Sequence, residues 1–225
     1  MKLKSNYCLA FAGAILLGLV SPAGAIGPLT GVPLGTAAPP STLGPWTMTP
    51  FVTDPSAVDS MLTSLGPITF SEAIRHDQIG NGWGTWSHGF AGNVYDTASF
   101  VDPTSLTMTL AGHVQAFYFY AEPVNWANFT FTATTDTGTF LTQTINGNAG
   151  ATGFGFYATG SDYITSITVR GTDADGFAVG EFGFASAPSV PETGSGLVYA
   201  SLAFLGLLGC RFVFRGQTAA PVARV

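Results

Sequence analysis

The chain has 225 residues, of which 46% are hydrophobic and only 9% charged, with a formal net charge of −6. Between residues 26 and 191 the only cations are Arg75 and Arg170 against twelve carboxylates, a balance that repels phosphate backbones and excludes nucleic-acid binding. Both cysteines, Cys8 and Cys210, fall outside that stretch, which excludes an intrachain disulfide, a thiolate metal site and a cysteine nucleophile within it.

The first segment, residues 1–25, has the layout of a secretory signal peptide. Lys2 and Lys4 make a basic start, residues 8–20 an apolar run, and Ala23-Gly24-Ala25 the small residues that signal peptidase requires. An uncleaved anchor is the alternative, but thirteen apolar residues are short for a membrane-spanning helix. Residues 26–50 are rich in Pro, Gly and Thr without a helical or strand period, and are expected to form a linker or an irregular arm on the domain.

Residues 51–185 are expected to be one all-β domain, an antiparallel β-sandwich or jelly-roll-like fold. Its single helical pattern spans residues 54–65, where Asp54 can cap, Pro55 suits the first turn, and Val58, Met61, Leu62 and Leu65 share a face; the stretch is short, and a loop fits it equally. From residue 66 the period becomes two. Residues 68–70 open a strand, and residues 105–110 place Leu106, Met108 and Leu110 opposite Ser105, Thr107 and Thr109. Residues 114–120 carry aromatics on both faces, the mark of a strand covered on both sides. Further strands are expected over 128–133, 138–144, 153–158, 163–170 and 177–184. Turn signals separate them at Glu122-Pro123, Asp136-Thr137-Gly138, Asn146-Gly147 and Asp175-Gly176.

Candidate chemistry in the body is sparse. Trp83, Trp86 and Tyr95 lie in or beside a Gly-rich stretch and could form a sugar-stacking surface, the basis of an alternative reading as a carbohydrate-binding module. The same tryptophans could instead pack onto the sheet while the glycines allow tight turns. His76, His88 and His113 lack ligand spacing, so no metal and no cofactor is expected. Asp173-Ala174-Asp175-Gly176 resembles part of a calcium loop but lacks its remaining ligands, and a strand-connecting turn explains it more simply. No G-x-S-x-G, H-E-x-x-H or P-loop pattern occurs, and no catalytic set emerges.

The C-terminal segments are the most informative. Residues 186–196 form a linker containing Val190, Pro191, Glu192, Thr193 and Gly194. Residues 197–214 form an apolar stretch that, at about 1.5 Å per residue, extends about 27 Å as a transmembrane helix. Arg211 and Arg215 act as a membrane stop, and residues 215–225 are a basic tail placed on the cytoplasmic side.

The run from Val190-Pro191-Glu192 through the apolar stretch to Arg215 resembles a PEP-CTERM protein-sorting signal, in the variant reading Val-Pro-Glu-Thr-Gly or Val-Pro-Asp-Ser-Gly. Thr193-Gly194 departs from the commoner Pro-Ser step, and the arginines are spread out. The stretches 76–89 and 175–182 are similar to segments of uncharacterised PEP-CTERM β-sandwich proteins. The resemblance implies an exosortase-type processing enzyme as partner, beside signal peptidase, in a Gram-negative bacterium. It implies a protein anchored in the membrane by its C-terminal helix or released to the cell surface, where an extracellular polysaccharide is a further expected partner. Pro191-Glu192-Thr193-Gly194 also fits the core of a Gram-positive sortase signal. That alternative expects Leu in place of Val190 and a Lys-rich wall-spanning region, which is absent. The expectation is thus a non-enzymatic structural or interaction protein of the bacterial envelope or extracellular matrix.

Overall fold

The computed structural model describes residues 29–51, 55–56, 59–160 and 162–186. The expected signal peptide, sorting motif, membrane helix and basic tail lie outside them. The described chain is all-β, with fifteen strands and no helix: β1 (Leu29–Gly35), β2 (Thr42–Leu43), β3 (Trp46–Thr47), β4 (Thr49–Pro50), β5 (Ser60–Thr63), β6 (Gly66–Phe70), β7 (Arg75–Ile79), β8 (Gly82–Trp83), β9 (Asn93–Asp96), β10 (Ser105–Pro123), β11 (Asn128–Thr135), β12 (Phe140–Asn146), β13 (Thr152–Ala158), β14 (Ile164–Gly171) and β15 (Phe177–Ser186). Among the described residues no helix is long and apolar enough to cross a membrane.

The 19-residue strand β10 organises the sheet. Its first half pairs with β14, from Ser105 opposite Arg170 to Thr109 opposite Ser166, and on the other side with β6. β14 continues to β11 and β12, and β6 to β5. The second half pairs with β13 and β15. β13 continues to β1, while β15 continues to β9 and, farther along, to β4. These ladders are antiparallel; the short contact between β7 and β8 is parallel. The change of partners falls where Gly112 takes φ 83, and a β-carbon there would sit 3.1 Å from the Leu65 carbonyl oxygen.

The sheet curls so that both halves of β10 fill one core. Leu106, Met108, Phe117 and Phe119 of β10 share it with Phe131, Ile145, Ile167 and Val169 from one half and Phe154, Phe156 and Phe182 from the other. Phe119 stacks on Phe154 at 5.3 Å, and Phe131 meets Phe177 edge-on at 5.3 Å. Each such ring removed from water contributes roughly 1.5–3 kcal/mol. The first half of β10 alternates as its sequence implies, with Leu106 and Met108 buried and Thr109 exposed. The second half is covered on both faces: Phe117 and Phe119 enter this core, while Ala116, Tyr118 and Tyr120 belong to a second cluster with Leu43, Met48 and Ala151.

Two expectations need correction. The helical pattern at 54–65 does not produce a helix over Ser60–Thr63, which is β5 and pairs with β6. Met61 is fully buried opposite Ile68, while its neighbour Leu62 is 75% exposed. Cross-strand burial of Met61 outweighs the weak local preference for a short helix. Thr63 closes the turn, its hydroxyl donating to the Gly66 carbonyl and accepting from the Leu65 amide. The Pro-rich stretch expected as an arm is, from Leu29, part of the sheet: β1 pairs with β13 from Leu29 opposite Ala158. Pro33 is accommodated because β1 pairs with β13 alone among the described strands, leaving one edge that needs no amide donor. Trp46 fastens the β2–β3 hairpin, donating its indole N–H to the Ala158 carbonyl at 2.7 Å.

Candidate functional site

The outer face of β10 and β15, opposite the phenylalanine core, carries the polar side chains of interest. Tyr118 pairs with Gly155 and Gly183 and Tyr120 with Gly153 and Gly180; Gly183 leaves room for the Tyr118 ring and Gly153 for the Tyr120 ring, where a β-carbon would clash. β15 holds a bulge at this level, with the register shifting between Tyr118 opposite Gly183 and Tyr120 opposite Gly180. Within it Glu181 takes φ 51, a left-handed conformation rare for a residue with a β-carbon. The bulge turns the Glu181 carboxylate toward the Gly-rich segment that follows β8.

That segment is fastened to the sheet by two carboxylates. Trp83 donates its indole N–H to Glu122 Oε2 at 2.9 Å, and the Thr85 hydroxyl donates to Oε1. Trp86 donates to Glu181 Oε2 at 3.1 Å. His88 Nε2 lies 2.8 Å from both Glu181 oxygens and so carries a proton toward them. Nδ1 of the same ring lies 2.8 Å from Ser87 Oγ and 3.2 Å from the Thr36 carbonyl. His88 is itself at φ 41, and its ring meets Tyr120 edge-on at 5.2 Å. Among the described residues the two non-glycine positions with positive φ are therefore bonded to each other, and their backbone strain meets at one contact.

The serine, histidine and glutamate of this chain have the order of a proton relay. Ser87 is buried at 4% exposure, however, and its hydroxyl is taken up by the His88 ring. Its bonds orient the loop instead.

Burial raises several groups on this face. Desolvation pushes the Glu122 carboxyl up, and the Thr85 and Trp83 hydrogen bonds hold it partly back. Desolvation, helped by the Glu181 charge, pushes the Tyr118 hydroxyl up to about 12 and raises Tyr120 as well. Tyr120 donates to the Ala37 carbonyl at 2.7 Å; the buried Tyr118 hydroxyl has no hydrogen-bond partner among the described residues.

At the β9 end, Arg75 donates from Nε to Asp96 Oδ2 at 2.7 Å and approaches Asp77 Oδ2 at 3.2 Å, the latter a charge contact and not a directed hydrogen bond. Asp96 is fully buried; desolvation raises its carboxyl against the pull of Arg75.

Two clefts flank the fastened segment. One, about 480 Å³, is walled by Pro39, Phe51, Phe90, Tyr118, Glu181 and Phe182. The other, about 170 Å³, lies among Arg75, Trp83, Thr85, Glu122 and Trp126.

The proposed sugar-stacking trio is not assembled. Tyr95 is fully buried, with its hydroxyl directed at Met61 Sδ and its ring against Phe70 and Phe182. It sits on β9 with its side chain in the shared core, so it offers no face to a ligand. Trp83 is 8% exposed and Trp86 half-buried, each tied to a glutamate. The histidines stand against three different tyrosines, His76 at Tyr95, His88 at Tyr120 and His113 at Tyr163. Among the described residues no three His, Cys, Asp or Glu side chains converge as metal ligands.

The Asp173–Gly176 motif is a clamp on the loop after β10. Asp173 accepts the Asn125 amide N–H at 2.9 Å and its side-chain Nδ2 at 2.8 Å, and Asp175 accepts the same Nδ2 at 2.6 Å. Gly176 takes φ 99, and a β-carbon there would press on the Thr97 hydroxyl at 2.8 Å.

Glu122, Glu181 and Trp126 are functional candidates that sequence patterns do not single out. Glu181 has a signal in Gly180-Glu181-Phe182-Gly183, a charge between strand glycines that marks a bulge. Glu122 is masked by the turn signal of Pro123. Trp126, an isolated aromatic, carries no pattern at all. No protein-family model matches the chain, and no curated protein matches it. Function is therefore read from the residues themselves.

Proposed function

We propose that the chain is an exported, surface-sorted structural or interaction protein of the bacterial envelope or its extracellular polysaccharide matrix, and not an enzyme. The terminal segments supply the address: a signal peptide at residues 1–25 and a PEP-CTERM-like signal at Val190–Gly194, followed by an apolar stretch and Arg211 and Arg215. The observation that carries the non-enzymatic part is how the chemistry-bearing side chains are used. Trp83, Trp86, His88, Glu122 and Glu181 are engaged with one another, and they fasten a loop to the sheet. A rigid acidic surface suits a scaffold or binding module better than a catalytic cleft.

On the same reading the domain is an antiparallel β-sandwich of jelly-roll kind, its layers meeting at the core that both halves of β10 fill. Glycan recognition by Trp83, Trp86 and Tyr95 together has no support from this geometry, because Tyr95 lies in the core. Cell fractionation with mass spectrometry of the mature C-terminus tests the proposal. The expected result is a surface or matrix fraction whose chain ends between Pro191 and Gly194, processed by an exosortase-type enzyme. A full-length chain recovered from the cytosol overturns it, and a covalent link to cell-wall peptide through Thr193 favours a sortase instead.

A further inference from the structure

We propose that Trp126 and the cleft at its foot form a subsite for a neutral glycosyl residue. Trp126 is 68% exposed, an unusual state for so large an apolar ring, and its indole lies over Gly84 with only 3.8 Å to the position a β-carbon would take there. Its loop is held in place. Asn125 is bonded to Asp173 and Asp175, Asn148 Nδ2 donates to the Trp126 carbonyl at 2.8 Å, and the Gly147 amide donates to the Ala127 carbonyl at 2.9 Å. The backbone that carries the ring is thus held in place before a ligand arrives.

The cleft beside the ring is polar and contains Glu122, a carboxylate at 1% exposure. Trp83 and Thr85 fill two of its roughly four lone-pair sites, leaving acceptor capacity for further donors. Arg75 adds N–H donors on another wall. A ligand that suits this combination has an apolar C–H face for the indole and an edge that both donates and accepts hydrogen bonds. A pyranose ring has both. The charge balance selects among sugars. Asp77 and Asp96 already face the Arg75 charge, and Glu122 stands in the cleft, so a uronate would meet net repulsion.

This inference rests on the interaction reading and names its ligand, but the two fail separately: sorting is judged at the mature C-terminus, the subsite by binding. The full chain is run in a zwitterionic, sugar-free detergent through native gels containing dextran, a mixed-linkage β-glucan, galactomannan or polygalacturonate. At least one neutral polysaccharide is expected to retard it. Trp126→Ala should weaken that retardation about tenfold, while Trp126→Tyr restores most of it. Phe140→Ala, which removes a ring 67% exposed on β12, should migrate like the unaltered chain. Equal mobility in every neutral gel overturns the proposal, as does retardation unchanged in Trp126→Ala. Retardation by polygalacturonate alone overturns the neutral class.

Discussion

Glu181 holds φ 51 in the middle of a strand, a conformation that costs a residue with a β-carbon about 1–2 kcal/mol. Its carboxylate accepts from both Trp86 and His88, and hydrogen bonds to a charged group contribute roughly 1.5–3 kcal/mol each, less where solvent reaches them. The bonds outweigh the strain. Glu181→Gly should therefore destabilise the domain by about 1–3 kcal/mol even though glycine relaxes the backbone. Urea unfolding reads this, and a variant as stable as the parent would show that the strain cancels what the bonds contribute. Glu122 sets a pH dependence. Its folded carboxyl is raised, so the folded state holds a proton that the unfolded chain has already lost. Stability from this group should fall as pH rises from the ordinary carboxylate range through the raised folded value, and then level off. Asp96 is raised too and adds the same sign. Asp102, lowered by Thr104, adds the opposite sign at an exposed, salt-screened position. In Glu122→Gln the amide can accept from Trp83 and donate to the Thr85 hydroxyl, so the fold is kept. The urea midpoint should then vary less steeply as pH rises above the ordinary carboxylate range. An unchanged slope would assign the effect elsewhere.

Among the elements, β10, β13 and β15 explain one another. In Gly153-Phe154-Gly155-Phe156 the phenylalanines enter the core, while on the opposite face Gly153 makes room for Tyr120 and Gly155 for Leu43. A β-carbon at Gly183 would lie 2.3 Å from Tyr118 Cζ, and one at Gly153 2.6 Å from Tyr120 Cζ. Gly183→Ala and Gly153→Ala should each cost about 1–3 kcal/mol by overpacking. Gly84→Ala, whose β-carbon finds only an ordinary 3.8 Å contact, should cost less than either in the same thermal melts. Much of β10 is legible in the sequence, because alternation at Leu106 and Met108 and double-sided aromatics at 117–120 are local patterns that burial reinforces. The glycine–tyrosine columns are not, since they arise only once distant strands are in register. β5 misleads for a related reason: four apolar residues at helical spacing fit a helix face equally well until Ile68 claims Met61. At the site, Trp83 and Trp86 stand out by composition, but their glutamate partners lie 39 and 95 residues away and no local rule joins them.

At the scale of the whole domain, β10 belongs to both halves of the sheet, and neither half keeps its core without it. Unfolding should therefore be a single transition. Three tryptophans report on the β13–β15 half: Trp46 bonds to β13, Trp83 to Glu122 of β10 and Trp86 to Glu181 of β15. Far-ultraviolet circular dichroism reports on every strand. The two signals should give coincident urea midpoints, and a fluorescence transition clearly separate from the dichroism one would show that the halves melt apart. The placement of β15 has a mechanical meaning. Its last residue, Ser186, is where the described strand runs on toward the proposed sorting motif. β15 is gripped by β10 along one side and by β9 and β4 along the other, with Phe182 and Phe184 seated in the core. A pull transmitted through the C-terminal segment thus loads an interior strand rather than a peripheral one. To yield, the domain must break ladders on both sides and expose aromatic rings together, so an anchor of the proposed kind would pull on a strand held from both sides.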